Sequence, residues 1–437
     1  AHAHCDDTAL GLTVDVGRSR GSRCLQQQAD GDRAVAVAVE LMRGASPGVH
    51  ELDSDSDGPV AVRLLLETAA ATRATDIHCE PKGSVIAVRM RVDGQMVPIV
   101  ELPNSVGDLV NGLIRTACQM KQAGRDALQD GSFTVMQAGR RIDFRASLTP
   151  TVHGQKLVLR VLDSRVAPQN LTDLQMPAYM QRRIQSVCEQ DTGLLLAAGP
   201  TGSGKTTTLY NALRELDRQA RNVVTIEDPV EYHIDNVTQI PAAAEAGFGE
   251  VLRSVLRQDP DVILVGEIRD DETARVTMQA AMTGHVVFST VHAKDTIGAV
   301  FRLLDLGVER YLVANALDLI LAQRLVRVLC DDCKRPVRVS PGQSSRMGRF
   351  LEGRAQVFAA TGCATCLRTG YRGRRALFEM LDFNDELRDI VLHNPTIQSM
   401  RKCIEQGVFT TLRQAGWLLA ARGITSLDEV DRVAGQG

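Results

Sequence analysis

Eight residues constrain this chain more than any others: Gly199-Pro-Thr-Gly-Ser-Gly-Lys-Thr206 fits the phosphate-loop pattern G-x-x-x-x-G-K-[ST] without a mismatch. Residues 194–198, Leu-Leu-Leu-Ala-Ala, read as a short buried strand, and Leu209, Leu213 and Leu216 beyond the loop recur at helical spacing. A strand, a glycine loop and a helix in succession bring backbone N–H groups and the positive end of a helix to one point, with no Cβ in the way. Such a point suits a polyphosphate. The expected nucleotide-binding residues are Gly199, Pro200, Thr201, Gly202, Ser203, Gly204, Lys205, Thr206 and Thr207, with Lys205 reaching the β- and γ-phosphates and Thr206 ligating Mg2+.

Further strands bring acids toward that loop. Val223-Val-Thr-Ile226 reads as a strand ending in Glu227-Asp228, stopped by Pro229, and Val262-Ile-Leu-Val265 ends in Gly266-Glu267. Carboxylates at strand carboxyl ends face the ligand crevice of an open α/β sheet, where they hold Mg2+, orient the attacking water or accept its proton. Val286-Val-Phe-Ser-Thr290 is a fourth strand, with His285 before it and His292 after it, the latter where a γ-phosphate sensor would stand. Taken singly, each acid has the alternative reading of a strand-end charge facing water, and a lone histidine is more often a structural residue. The convergence of strands on one loop makes Glu267, Glu227 and His292 the catalytic candidates. Metal binding by the two histidines is not expected, because a strand separates their rings by ~20 Å.

Residues 1–58 are rich in Gly, Asp, Ser and Gln and read as a flexible arm with at most one helix, around 34–41. Asp53, Asp55, Asp57 and Gly58 imitate the start of an EF-hand loop, but Leu64 stands where a bidentate Glu is required, so a solvated stretch is expected. Residues 59–162 mix helices with strands and predict a small α+β domain. Ile86, Val88, Met90 and Val92 alternate with Ala87, Arg89 and Arg91, and Asp93-Gly94 then marks a two-residue hairpin. The alternation returns where Ile142, Phe144, Ala146 and Leu148 interleave with Arg141, Asp143, Arg145 and Ser147, and around Leu157, Leu159 and Val161 with Arg160. On their own such arginines are ordinary solvent-facing charges. Residues 163–172 have no periodicity and contain Pro168, which marks a linker able to act as a hinge. Beyond residue 299 Leu303, Leu306, Val313, Ala316, Ile320, Leu321 and Leu325 form apolar stripes that predict helices, and a helical C-terminal region is expected with a cap at Thr425-Ser426.

Ten cysteines raise the question of disulfides, but four of them form two C-x-x-C pairs, Cys330/Cys333 and Cys363/Cys366, and the others are scattered. That pattern favours a reducing compartment with one metal site. Four thiolates suit tetrahedral Zn2+, with a redox pair or an iron–sulfur cluster as alternatives. A structural zinc contributes on the order of 10 kcal/mol of folding energy, enough to staple a loop-rich insertion. Composition narrows the class further. At 437 residues two or three domains are expected, and a net charge of −3 without a basic stripe argues against nucleic acid. No apolar run approaches the ~18–20 residues of a membrane span, so a cytoplasmic protein is expected.

Together these motifs resemble the secretion ATPase superfamily of type II secretion and type IV pilus assembly systems, over nearly everything from residue 60 onward. Gly199 to Tyr210 is similar to its Walker A box and Thr225-Ile-Glu-Asp-Pro-Val-Glu231 to its Asp box. Leu256 to Asp270 is similar to its Walker B box, and Thr283-Gly-His to His292 to its His box. Asp76-Ile-His-Cys-Glu-Pro81 and Arg91-Val-Asp-Gly94 resemble its N-terminal-domain signatures, and Cys330 to Cys366 its tetracysteine module. Three positions depart from the pattern: Ala293-Lys294 follow His292 where Thr-Asn is more usual, Cys79 replaces an aliphatic residue, and Ser132 stands where Arg is common.

The resemblance implies an α/β fold: a RecA-like nucleotide domain at 173–328, a smaller α+β N-terminal domain at 59–162, the linker at 163–172, a zinc module at 329–372 and the helical region at 373–437. It implies a homohexameric motor, cytoplasmic and peripheral to the inner membrane, using ATP, Mg2+ and Zn2+. Arg145 and Arg160 would approach the γ-phosphate when the N-terminal domain closes. The implied work is to power export through a type II secretion system by driving pseudopilus assembly, or alternatively extension of a type IV pilus. The implied partners are the cytoplasmic domain of an inner-membrane docking protein and a polytopic platform protein, with membrane contact only through them. The first 58 residues are shorter than the extra N-terminal docking domain of longer members. Two other readings stand beside this one: a RecA-like DNA motor, opposed by the unbiased charge, and a nucleotide-binding scaffold without turnover, opposed by Glu227 and Glu267.

Overall fold

The computed structural model describes residues 13–15, 57–120, 127–137, 139–163, 168–242, 247–407 and 409–435. Most of the expected arm, with its stretch at 34–41 and the imitation calcium loop at Asp53 and Asp55, lies outside the described residues, as do 164–167 of the expected linker. The described parts of the arm are not loose, for Thr13–Asp15 pair as an edge strand and Asp57 and Gly58 begin a helix. Two units are present, one reaching to residue 166 and including 362–371, the other made of 167–361 and 372–437.

The first unit is built on a seven-stranded antiparallel sheet: β1 (Thr13–Asp15), β2 (Ala74–Lys82), β3 (Val85–Val92), β4 (Gln95–Pro103), β5 (Gln129–Gln137), β6 (Arg140–Thr151) and β7 (Gly154–Leu162), in the order β1-β5-β6-β7-β2-β3-β4. β3 turns into β4 through Asp93 and Gly94 at φ +49° and +86°, the left-handed pair that a two-residue hairpin needs. The helices Asp57–Thr72 and Asn104–Ala117 supply Leu65, Leu66, Val106, Val110 and Ile114 to a core shared with Ile77, Met90, Phe144, Leu148 and Leu157. A strand buries alternate residues, and along β6 the others include Arg141, Asp143, Arg145 and Ser147. The register aligns Arg91, Asp76, Arg160, Arg145 and Ser132 in one row across five strands.

The second unit carries β8 (Gly193–Ala198), β9 (Val223–Glu227), β10 (Thr238–Pro241), β11 (Val262–Val265), β12 (Val286–Val291), β13 (Leu317–Leu329), β14 (Arg335–Arg338), β15 (Gln356–Ala359) and β16 (Tyr371–Asp382). Seven of them form one sheet in the order β10-β9-β11-β12-β8-β13-β16, parallel from β10 to β13. Both faces are covered. Leu194, Leu196, Ile226, Ile263 and Val287 enter one core, and their neighbours Leu195, Ala197, Leu264 and Phe288 enter another. Burial on both sides is why these strands are continuous apolar runs. Four helices, Asp385–His393, Ile397–Glu405, Leu412–Ala421 and Leu427–Ala434, follow the sheet, and Ser426 caps the last as expected.

Two expectations are corrected. Ile320, Leu321 and Leu325 do not lie on a helix: helices cover Thr296–Asp305 and Arg310–Ala316, and the chain then enters β13 beside the phosphate-loop strand. An apolar run in a doubly covered sheet carries no period that separates it from a buried helix. Residues 373–382, expected to begin the helical region, belong to β16 at the end of the same sheet.

Candidate active site

Every residue of β8 is buried, and the chain leaves it into the glycine loop. Gly202 and Gly204 have φ of +77° and +88°, and the helix Lys205–Glu215 starts on Gly204. A Cβ on Gly204 would come within 2.7 Å of Gln323 Nε2, and one on Gly199 within 2.7 Å of the Gln323 carbonyl oxygen. Glycine is therefore required at both positions. Lys205 Nζ donates to the carbonyl oxygens of Gly199 at 2.7 Å and Pro200 at 3.1 Å. Burial pushes its pKa down, while the Glu267 carboxylate nearby works in the opposite sense. The Ser203 hydroxyl is buried and finds no partner among the described residues. An orphaned donor, a cation and the N-terminus of a helix on one loop fit a phosphate chain.

Parallel strands end around this loop. Gly199 N–H donates to Val291 O at the end of β12, Gly266 N–H to Ile226 O in β9, and Ile268 N–H to Thr290 O in β12. These bonds hold Glu267 between β9 and β12. Its Oε1 lies 2.9 Å from His292 Nε2, and its Oε2 accepts a 2.7 Å bond from Arg269 Nε. Lys205, Glu267 and His292 thus come to one crevice. With Thr206 on the loop, this crevice has the oxygen donors that Mg2+ takes.

Glu227 stands differently. It is 3 % exposed at the end of β9. Its carboxylate accepts from Tyr210 Oη, from Thr225 Oγ1 at 2.6 Å and from Gln239 Nε2 at 3.3 Å. A buried carboxylate so bonded belongs to a stiff polar network.

Sequence spacing carried no signal for Gln323 and Arg324 of β13. Gln323 is buried and its Oε1 accepts from Thr208 Oγ1 at 2.7 Å. Arg324 donates to the carbonyls of Gln323 at 2.8 Å, Lys294 at 2.6 Å and Ala293 at 3.3 Å, so it braces the segment that follows His292. Only the placement of β13 beside β8 reveals either residue.

In the first unit Arg145 and Arg160 border an open pocket of about 550 Å³ that Asp76, Asp130, Ser132 and Ser147 also line. Asp76 holds Arg160 Nε at 3.3 Å and Arg91 Nε at 3.5 Å. The Arg160 side chain remains 61 % exposed, with its terminal nitrogens available.

The sulfur atoms of Cys330, Cys333, Cys363 and Cys366 all lie within 4.8 Å of one another. Backbone N–H groups of Cys363 and Gly370 point at Cys366 Sγ from 3.1 and 3.2 Å, the donor arrangement that stabilises thiolates around a metal. This set can hold a metal ion. Among the described residues no other group of three or more such side chains stands close enough to do so.

The model of the family described as type II/IV secretion system protein matches residues 53–432. The chain belongs to this family. As a family member with its phosphate loop intact, it is a secretion ATPase. It is 35 % identical to the type II secretion system protein E of Pseudomonas aeruginosa, over 99 % of the chain and 84 % of that protein. It is 37 % identical to the type II secretion system ATPase E of Vibrio cholerae, over 93 % of the chain and 80 % of that protein. Among solved structures, the secretion ATPase shares its fold with the Legionella pneumophila ATPase DotB: TM-score 0.65, 23 % identity, 86 % of this chain and 95 % of the other. The pilus retraction motor PilT, solved with bound ADP, is also similar: TM-score 0.58, 25 % identity, 84 % of this chain and 95 % of that one. No described helix of the secretion ATPase is long and apolar enough to cross a membrane.

Proposed function

We propose that this secretion ATPase is the motor of a type II secretion system, hydrolysing ATP to drive pseudopilus assembly at the inner membrane. The observation that carries the reading is the convergence of Glu267 and His292, 2.9 Å apart, on the phosphate-loop crevice. Phosphoryl transfer to water needs position and charge neutralisation more than covalent chemistry. The loop amides, Ser203 and Lys205 grip the phosphates. Thr206 would hold Mg2+, which would neutralise phosphate charge there. Glu267 orients the attacking water and accepts its proton, and His292 senses the γ-phosphate. Arg145 and Arg160 contribute when the first unit closes on the nucleotide, and guanidinium groups in that role give ~10³–10⁵ in rate.

Around this chemistry we place a homohexamer in the cytoplasm. It is attached to the inner membrane through the cytoplasmic domain of a docking protein and works on a polytopic platform protein. The four cysteines hold Zn2+ as a structural staple. The type II relatives from P. aeruginosa and V. cholerae support the assignment of the transport system. The test joins two measurements: Mg2+-dependent phosphate release by the purified chain, and export by a host lacking its own ATPase when this chain is supplied. Turnover without restored export, together with restored pilus extension, would move the assignment to type IV pili. Absence of turnover would refute the motor.

A further inference from the structure

The helix that begins at the phosphate loop ends on the linker. Asn211 is fully buried, and its Nδ2 donates to Thr207 O at 2.9 Å and to Pro168 O at 3.2 Å. Arg214, three residues on, donates from Nη1 to Pro168 O at 3.4 Å, Gln169 O at 3.2 Å and Asn211 Oδ1 at 3.1 Å. Two carbonyls of the linker therefore rest on side chains of the phosphate-loop helix. The N–H groups of the same stretch, from Gln169 and Asn170, donate to Asp173 Oδ2 at 3.0 and 3.3 Å, so it is pinned from both sides.

The Arg214 guanidinium also lies over the ring of Tyr232, 5.6 Å from its centre. Tyr232 meets Tyr210 edge-on at 4.6 Å, and Tyr210 donates its hydroxyl to Glu227. A contiguous chain of contacts thus runs from Thr207 at the loop and from Glu227 at the end of β9 to the carbonyls of Pro168 and Gln169. Hydrogen bonds from a guanidinium and an edge-on aromatic pair, Tyr210 fully buried and Tyr232 partly so, make the chain stiff.

We infer that Asn211 and Arg214 are positioning residues that pass the state of the nucleotide crevice to the linker, and that Glu227 acts through this chain. The inference rests on the ATPase reading above. Their hydrogen bonds go to backbone carbonyls of the linker and of the helix, so both act through the backbone they hold. A shift of the phosphate-loop helix on nucleotide binding moves the linker carbonyls with it.

The test uses the full chain as wild type, Arg214→Ala and Arg214→Lys. It measures affinity for a fluorescent ATP analogue with Mg2+, kcat, and the ATP-dependent change in energy transfer between dyes on the two units. Arg214→Ala is expected to lower kcat ~10-fold while leaving affinity within ~3-fold, and to abolish the energy-transfer change; Arg214→Lys recovers at least half of kcat. Wild-type kcat in Arg214→Ala, an undiminished energy-transfer change, a parallel loss of affinity, or no recovery with Lys would each overturn the inference. A wild-type chain that binds the analogue without hydrolysing ATP would overturn the ATPase reading itself, and the inference with it.

Discussion

His292 Nε2 lies 2.9 Å from Glu267 Oε1, and Arg269 Nε holds the other carboxylate oxygen at 2.7 Å. Sensor and base candidates thus stand side by side. A γ-phosphate that draws His292 away leaves Glu267 free to take water. Glu267→Gln preserves size and loses basicity, so it should bind ATP within ~3-fold of wild type and lose ~10²–10⁴ in kcat. Nucleotide titration beside a phosphate-release assay checks this, and wild-type turnover would reject the assignment.

Gly204 has φ +88°, and a Cβ there would stand 2.7 Å from Gln323 Nε2. Gly204→Ala combines backbone strain of ~1–3 kcal/mol with displacement of the side chain that props Thr208. Its melting temperature should fall and ATP affinity should be lost. Gly202→Ala, where an added carbon meets nothing within 4 Å, should lose less stability. Equal melting temperatures for the two variants would contradict the packing argument.

Glu429 is buried, and its carboxylate accepts from Arg432 at 2.6 and 2.7 Å and from Arg327 Nη2 at 2.7 Å. Burial alone pushes its pKa up, but the bonds from Arg432 and Arg327 outweigh that and hold it below the ordinary 4.5. A carboxyl with a lower pKa folded than unfolded contributes stability above the unfolded value, and that contribution is lost as pH falls through the folded one. Below about pH 4.5 the wild-type melting temperature should therefore drop more steeply than that of Glu429→Gln. At neutral pH the substitution should cost about 1–3 kcal/mol, since it removes the charged acceptor that Arg327 and Arg432 bond. Calorimetry across pH decides the point, and parallel curves would refute it.

The four cysteine sulfurs within 4.8 Å of one another predict about one zinc per chain by elemental analysis. Cys363→Ser should lower that content and the melting temperature together, and chelation of the wild type should do the same. A metal-free chain of unchanged stability would exclude the staple.

Much of the site was readable along the chain because its signals are local. The glycine loop, the acids at strand ends, His292 after its strand and the C-x-x-C pairs each lie within a few residues of the feature that reveals them. Ser203, Lys205, Glu267 and His292 needed no long-range knowledge to be named. Gln323 and Arg324 did, for nothing nearby in sequence sets them apart from other polar residues on a strand.

By itself, then, the sequence determined the phosphate loop with its flanking strand and helix, the order of acids and histidine that follow, the hairpin at Asp93-Gly94 and the cysteine pairs. Tertiary structure alone decided that Leu317–Leu329 is a strand under the loop, that Tyr371–Asp382 extends the same sheet, and that Glu227 turns to Tyr210 while Glu267 turns to His292. The reason is range. Turn chemistry and periodicity are properties of neighbouring residues, whereas the pairing of β13 with β8, more than a hundred residues apart, arises only when the sheet closes its hydrogen bonds and buries both faces.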